Sequence, residues 1–347
     1  MPLSFSRTSP MEPRRTSDIF NQKTMEGCMI RKHVYRFGLL ISLTMSSAAS
    51  SYAAGCGFQL AFTRPDERGT QTVKVYRGDP VPALGNVRPL LFIVSHKVNT
   101  DGTKVSYGVK DPRGLLCRDQ PNANSCAINH IGNAFNDPGR PVADLEAVRD
   151  AGFPPNKSWQ VLDPSIIEKD KNTGKPCVTP DGYLVSMTAE VVNDGGHTHE
   201  GDCDQTKYID ALTVPAIVIP KGENQFAAAD IGKRNIVVAF SSSATKNVVP
   251  GIVGDTGPSN ELGEATVAMN RMLNGLPDAE TPKHRDDAKA RFQAKATATL
   301  IFPGGANRLA RPITPQRVAE GGNDKLAKFG GAEKVYQCIH DEINPNF

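Results

Sequence analysis

Two acidic residues in the second half of the chain, Asp255 and Glu264, have the spacing and surroundings of a catalytic carboxyl pair. Asp255 follows the apolar run of a predicted strand, and Glu264 precedes an apolar stripe typical of a helix. The Gly/Pro-containing corner at 256–260 lies between them and leaves room for a ligand. Because two carboxyls in different environments can divide acid and base roles, the pair is our candidate catalytic site.

The alternative for this pair is a structural role. Acidic residues in the first turn of a helix are favoured by the helix dipole alone. Asp before a Gly-Pro sequence is also a common turn former. Residue types and spacing leave both interpretations open.

The elements that position these residues are predicted to be short strands separated by turns. The runs that predict strands are 90–95, 104–109, 183–192, 214–219, 236–240, 248–254 and 297–302. Helices are predicted over 141–151 and 262–274, and the second places Glu264 in its first turn. The polar segment 276–296 is expected to be an excursion before the last strand.

The composition fits one mainly β domain and argues against a nucleic-acid-binding protein. The 347 residues include 31 Gly and 26 Pro, and only 6% are aromatic, which favours strands and turns over a helical bundle. Since 40 Lys+Arg stand against 37 Asp+Glu, there is no large basic excess. Residues 1–54 hold seven of the former and three of the latter, so the rest is nearly neutral. We expect no nucleic-acid partner and a monomer.

The N-terminal segment has the pattern of a secretory signal peptide. Basic residues precede the apolar run 37–45, and small residues follow as far as Ala54. The run is shorter than the roughly 20 residues that span a bilayer, which disfavours the alternative of a membrane anchor. We therefore expect a leader at 1–54 and a secreted or periplasmic domain at 55–347, without membrane contact after cleavage.

Cysteine usage supports export. Beyond the leader the chain has six cysteines, Cys56, Cys117, Cys126, Cys177, Cys203 and Cys338. An even number in an exported protein predicts three disulfides, for which 15 pairings exist. Short loops favour Cys117 with Cys126 and Cys177 with Cys203, which leaves Cys56 for Cys338. In a competing hypothesis, Gly55-Cys56 ends a lipoprotein signal and Cys56 is lipidated.

The segment around the two acids resembles the fungal-type chitosanase family, glycoside hydrolase family 75. That family has a Gly-Asp-x-Gly-Pro corner followed by Gly-Glu and a helix, and the matching residues here are 254–258 and 262–268. Similar stretches stand at 100–102, 182–188, 207–220 and 296–303. The resemblance thus covers a core from about 90 to 303.

The resemblance implies an endo-acting hydrolase that cleaves the β-1,4 bonds of chitosan with inversion. We expect no cofactor or metal. The catalytic roles fall on Asp255 and Glu264. The resemblance also implies a β-barrel core related to the double-psi barrel. Together with the strand pattern and the cysteines, this leads us to expect a single-domain, mainly β barrel with a few helices, linked by disulfides. Inversion requires carboxyl groups about 6.5 to 9.5 Å apart. The helix dipole suggests Glu264 as the base, and desolvation suggests Asp255 as the acid, with the reverse assignment open.

Four further residues are candidates for substrate binding. Asp101 and Asp210 are candidate ligands of a glucosamine ammonium group, or else turn formers. Tyr107 and Tyr183 are candidates to stack on a sugar, together with the single tryptophan, Trp159, although a core position is the simpler interpretation of an aromatic side chain.

Weaker candidates and other function classes remain. His197, His199 and Cys203 have metal-ligand spacing, but a disulfide is the preferred interpretation of Cys203. His130 is interpreted as structural. The alternative functions are hydrolysis of another amino-sugar polymer, such as peptidoglycan or chitin, and a non-catalytic polysaccharide-binding barrel.

Overall fold

A computed structural model describes residues 55–66, 68–194, 200–257 and 260–347. The strands in these ranges are β1 (Gln59–Pro65), β2 (Thr72–Arg77), β3 (Leu90–Asn99), β4 (Tyr107–Gly108), β5 (Tyr183–Leu184), β6 (Ala216–Pro220), β7 (Ile236–Ser241), β8 (Val248–Gly257), β9 (Glu264–Thr266) and β10 (Ala294–Ile301). The helices are α1 (Leu116–Asp119), α2 (Val142–Asp150), α3 (Pro155–Val161), α4 (Gln225–Ala228), α5 (Val267–Leu273), α6 (Arg285–Arg291), α7 (Pro315–Phe329) and α8 (Gly331–Glu342). The leader assigned to 1–54 lies outside the described residues.

Six strands close into a barrel in the order β3-β10-β7-β8-β6-β9, and a parallel pairing of β9 with β3 completes the ring. The pairing of β6 with β8 is also parallel, while β7 pairs antiparallel with both of its neighbours. The strands β1 and β2 continue the sheet outward from β3. The fold-class prediction, a single mainly β barrel domain with a few helices, is confirmed.

The central strand β7 shows why this barrel holds together. All six of its residues are buried, as expected for a continuous apolar run covered on both faces. Val238 packs in a cluster that includes Val318 of α7, whereas Val237 packs in a second cluster with Met269 of α5. Since α5 contacts all six barrel strands, it covers the apolar interior, and α7 covers the outside. Each such buried side chain contributes about 1.5 to 3 kcal/mol.

Five elements show where the structure differs from the sequence-based prediction. The strands expected over 104–109 and 183–192 shrink to the two-residue strands β4 and β5. The helix expected over 262–274 begins only at Val267, because Thr266 is extended and its side chain accepts a hydrogen bond from the Met269 amide. Two C-terminal helices, α7 and α8, follow the last barrel strand, where no element was predicted.

The three disulfides pair as the loop lengths favoured. Cys117 bonds to Cys126, Cys177 to Cys203, and Cys56 to Cys338 on α8. The Glu342 carboxylate strengthens the last junction, since it accepts hydrogen bonds from the backbone amides of Cys56 and Phe58, both at 2.6 Å. The lipidated alternative for Cys56 is therefore not the state of this structure. No helix in the described ranges is long and apolar enough to cross a membrane.

A buried histidine makes the stability depend on pH. His96 on β3 is 1% exposed, and its Nε2 lies 3.2 Å from the Thr299 hydroxyl. Burial lowers the pKa of His96 from 6.5 to about 4. The unfolded chain therefore takes up a proton at this position between about pH 6.5 and 4, while the folded chain does not, so folding loses stability as pH falls through that range.

We expect His96→Gln to remove this part of the acid sensitivity. The free energy of unfolding of the wild type, relative to the variant, should fall by about 3 kcal/mol between pH 7 and 4. Urea denaturation at a series of pH values measures the difference. His340→Gln, at an exposed position on α8, is the control for replacing a histidine at the surface. A difference in unfolding free energy between the wild type and His96→Gln that does not change with pH would contradict this account.

Candidate functional site

The candidate catalytic acids line one large cleft on the barrel. The cleft has a volume of about 1130 Å³, and Asp101, Asp255 and Glu264 all contribute to its lining. Asp255 lies near the end of β8, Glu264 opens β9, and Asp101 follows β3 closely. Three barrel strands thus bring together side chains that are far apart in the sequence.

A β-bulge orients Asp255. Along β6, Ile217 pairs with Val253 but the next residue, Val218, pairs with Asp255, so Gly254 is the extra residue of β8. Because side chains alternate between sheet faces, this bulge turns Asp255 to the face of Val218. Glycine suits the position, since a Cβ atom at Gly254 would lie 2.7 Å from the Cβ of Ala216.

Glu264 lies on a strand, which corrects the prediction that it stands in the first turn of a helix. Its neighbour Ala265 pairs antiparallel with Ile217 of β6, so Glu264 lies beside Val218, on the side away from β8. Asp255 and Glu264 therefore flank the same residue of β6 and share its face. Two inter-strand spacings separate their backbones by about 9 to 10 Å. The helix dipole consequently gives no support to a base role for Glu264.

Asp255 is held in a setting that favours its protonated form. Its Oδ1 accepts hydrogen bonds from the amides of Ala189 and Thr256, both at 2.8 Å. Burial, and next the charge of Asp101, raise the pKa of Asp255 from 3.8 to about 7, against the opposing effect of these amides and of Lys233. A carboxyl group that keeps its proton near neutral pH can serve as a general acid.

Asp101 and Tyr107 form a hydrogen-bonded group in the cleft wall. The Ser186 hydroxyl donates to Asp101 Oδ1 at 2.9 Å, and the Tyr107 hydroxyl is a second partner of this carboxyl. Asn129 Nδ2 donates to the Tyr107 hydroxyl at 3.2 Å. Burial raises the pKa of Asp101, which these hydroxyl groups partly offset. Because Tyr107 is only 1% exposed, its ring is not available to stack on a sugar.

The other two binding candidates do not line this cleft. Tyr183 is 6% exposed, and its hydroxyl donates to the Cys126 carbonyl at 3.1 Å. Asp210 accepts from the Leu212 amide at 3.0 Å, which is the turn-forming alternative. Both residues serve the framework.

The structural interpretations of His130 and Trp159 agree with their contacts. His130 caps a short helical turn by accepting from the Gly132 amide. Trp159 donates through Nε1 to the Gly174 carbonyl at 2.7 Å and packs against an apolar cluster. Neither residue contributes to the cleft lining.

Two residues of the hydrogen-bonded group around Asp101, Asn129 and Ser186, were not predicted from the sequence to be functional. Asn129 comes from an irregular loop and is tied to the site through Tyr107 and Thr100. Ser186 lies inside the stretch 182–188, which resembles the chitosanase family. That resemblance is the one sequence feature from which Ser186 could have been predicted. Both act through long-range contacts that residue spacing does not encode.

The metal alternative finds no support in the described part of the chain. Cys203 is bonded to Cys177, and no cluster of three or more potential metal ligands occurs in the ranges that the structure describes. His197 and His199 fall in the segment 195–199, outside those ranges.

Comparisons with known proteins add no family. A scan against protein-family models finds no match for this chain. A search of the curated proteins likewise finds none. The chitosanase resemblance therefore depends on the motifs quoted above.

Proposed function

We propose that this protein is a secreted endo-acting glycoside hydrolase that cleaves the β-1,4 bonds of chitosan with inversion. The observation that carries the proposal is the placement of Asp255 and Glu264 in the lining of one cleft, on either side of Val218. The resemblance to family 75 supplies the substrate. The three disulfides and the leader pattern favour an oxidising, extracytoplasmic location.

The proposed mechanism uses one proton transfer on each side of the sugar ring. Asp255, protonated near neutral pH, gives its proton to the glycosidic oxygen as the bond to C1 breaks. Glu264, at the partly exposed start of β9, takes a proton from the water that attacks C1 from the opposite face. Backbones about 9 to 10 Å apart let the carboxyls approach the separation of about 6.5 to 9.5 Å that leaves room for this water.

The charges of the cleft support an amino sugar at its centre. Glu264 contributes a carboxyl group to the lining beside the proposed cleavage position, where a carboxylate attracts an ammonium group of the substrate. Lysines also contribute to the lining, among them Lys169, Lys171 and Lys221, which are exposed. The Glu264 carboxylate therefore favours a cationic sugar at the cleavage position, while the lysines disfavour a uniformly charged polycation along the whole cleft.

A substrate panel tests this proposal. The secreted protein is incubated with chitosan, chitin and peptidoglycan, and new reducing ends are counted. We expect release from chitosan, with viscosity falling early because cleavage is internal. Release only from chitin or peptidoglycan would reassign the substrate. Retention on insoluble polymer without any new reducing ends would favour a binding barrel instead.

A further inference from the structure

Among the other carboxyl groups that line the cleft is Asp101, to which the proposed chemistry gives no role. Its position is fixed by the turn after β3, where its amide donates to Asn99 Oδ1 at 2.7 Å. The next residue, Gly102, has φ +87°, and a Cβ atom there would lie 1.9 Å from the Ile209 carbonyl oxygen. Only glycine fits so close to the backbone, so this turn holds Asp101 in one place.

The contacts of Asp101 already occupy much of its carboxyl group. Ser186 and Tyr107 both supply hydroxyl groups to it, and the Tyr107 hydroxyl accepts in turn from Asn129. This network orients the carboxyl within the protein. A substrate ammonium would have to compete with these bonds.

Asp101 and Asp255 line a second, much smaller cavity in addition to the cleft. This cavity has a volume of about 10 Å³, which is close to the size of a single water molecule. The rest of this cavity is mostly apolar, including Ile209, Ala216 and Ile217. The charge of Asp101 raises the pKa of Asp255, and two carboxyls that interact in this way do not titrate independently.

We propose that Asp101 is a positioning residue that acts through Asp255, its carboxylate keeping the proton on Asp255 until the leaving oxygen of the substrate accepts it. This inference depends on the proposed hydrolase function for its catalytic meaning. The coupling of the two carboxyls itself does not depend on any substrate.

The other charged groups around Asp255 do not account for the retention of its proton. Lys233 acts in the opposite direction and donates to the Ala189 carbonyl at 2.7 Å. Glu190, which follows Ala189, is paired with Arg311. Glu264 lies across β6, two strands away, with Lys97 as its register partner on β3.

Carboxyl-carbon NMR titration of the folded protein tests the inference without substrate. In the wild type, the signals of Asp101 and Asp255 should each show two steps at the same pair of pH values. Asp101→Asn should lower the midpoint of Asp255 by about one pH unit or more. Asp101→Glu keeps the carboxyl group, so the midpoint of Asp255 should stay near its wild-type value. Asp163→Asn, which removes another carboxylate from the same cleft, is the control and should leave Asp255 unchanged.

Kinetics on chitosan give the catalytic readout. The alkaline limb of the kcat/KM profile reports loss of the acid's proton, and Asp101→Asn should move that limb toward acid pH by the same shift. A raised KM with an unmoved limb and an unchanged Asp255 titration would overturn the inference and make Asp101 a substrate ligand. If no polymer is cleaved, the NMR titration still decides the coupling. If Asp101→Asn does not fold, independent single-step titrations in the wild type would overturn it.

Discussion

Asp255→Asn and Glu264→Gln should each lower turnover of chitosan by about a hundred- to ten-thousand-fold. Both changes keep the shape of the side chain and remove the group that gives or takes the proton. The fold should survive, because Glu264 is partly exposed and the amide oxygen introduced by Asp255→Asn can still accept the hydrogen bonds from Ala189 and Thr256. Reducing-end assays and thermal melting of purified variants measure the two effects separately.

Asp255→Asn should also raise the free energy of unfolding, relative to the wild type, as pH rises. The folded chain holds a proton on Asp255 up to about pH 7, whereas the unfolded chain loses it near pH 3.8. Wild-type stability therefore falls as pH rises through this range, and the asparagine variant lacks that loss. Relative to the wild type, the variant should gain about 3 kcal/mol between pH 4 and 7.

The matched control is Glu146→Gln on α2, outside the cleft lining. It makes the same chemical change and should leave turnover near the wild-type level. Near-full activity of either cleft variant at unchanged melting would remove that residue from the mechanism. Loss of the folded state in either variant would instead favour a structural role for the carboxyl.

Replacing both Cys56 and Cys338 by serine should cause the largest loss of stability. Their disulfide closes a loop with a sequence separation of 282, whereas that of Cys117 with Cys126 spans only 9. Since the entropy removed from the unfolded chain grows with loop length, the long bridge should contribute about 5 kcal/mol and the short one about 2 to 3 kcal/mol. Denaturant unfolding of the two double-serine variants compares them directly.

The packing of α8 is a second reason to expect a larger loss of stability without the Cys56–Cys338 disulfide than without Cys117–Cys126. Cys338 lies in the same apolar cluster as barrel residues such as Val238, so loosening it affects the outer layer of the barrel. Equal losses of unfolding free energy for the two double-serine variants would mean that the unfolded chain without the Cys56–Cys338 disulfide is already compact. A larger loss for the short bridge would contradict the loop-length account.

The sequence predicted those parts of the fold that local pattern determines. Continuous apolar runs identified β7 and most of β8, because both strands are buried and bounded by turn residues. Loop length favoured the observed disulfide pairing. The presence of both Asp255 and Glu264 in one cleft also followed from their spacing around the corner at 256–260.

The remaining features depend on contacts between distant segments. The apolar pattern of 262–274 continues through β9, so it could not show that pairing with β3 and β6 would make Glu264 part of a strand. The register shift at Gly254 depends on its close approach to Ala216, which no local pattern encodes. Tyr107 resembled a sugar-stacking residue by type, but its burial made it a partner of Asp101.

The anomeric form of the first product tests the central claim most directly. Proton NMR during the first minutes of chitosan-hexamer cleavage distinguishes the two anomers before they interconvert. Water held between Asp255 and Glu264 attacks from the face opposite the leaving group, so the α-anomer should appear first from the β-linked substrate. A first product in the β form would contradict the inverting mechanism and require a covalent intermediate on one of the carboxyls.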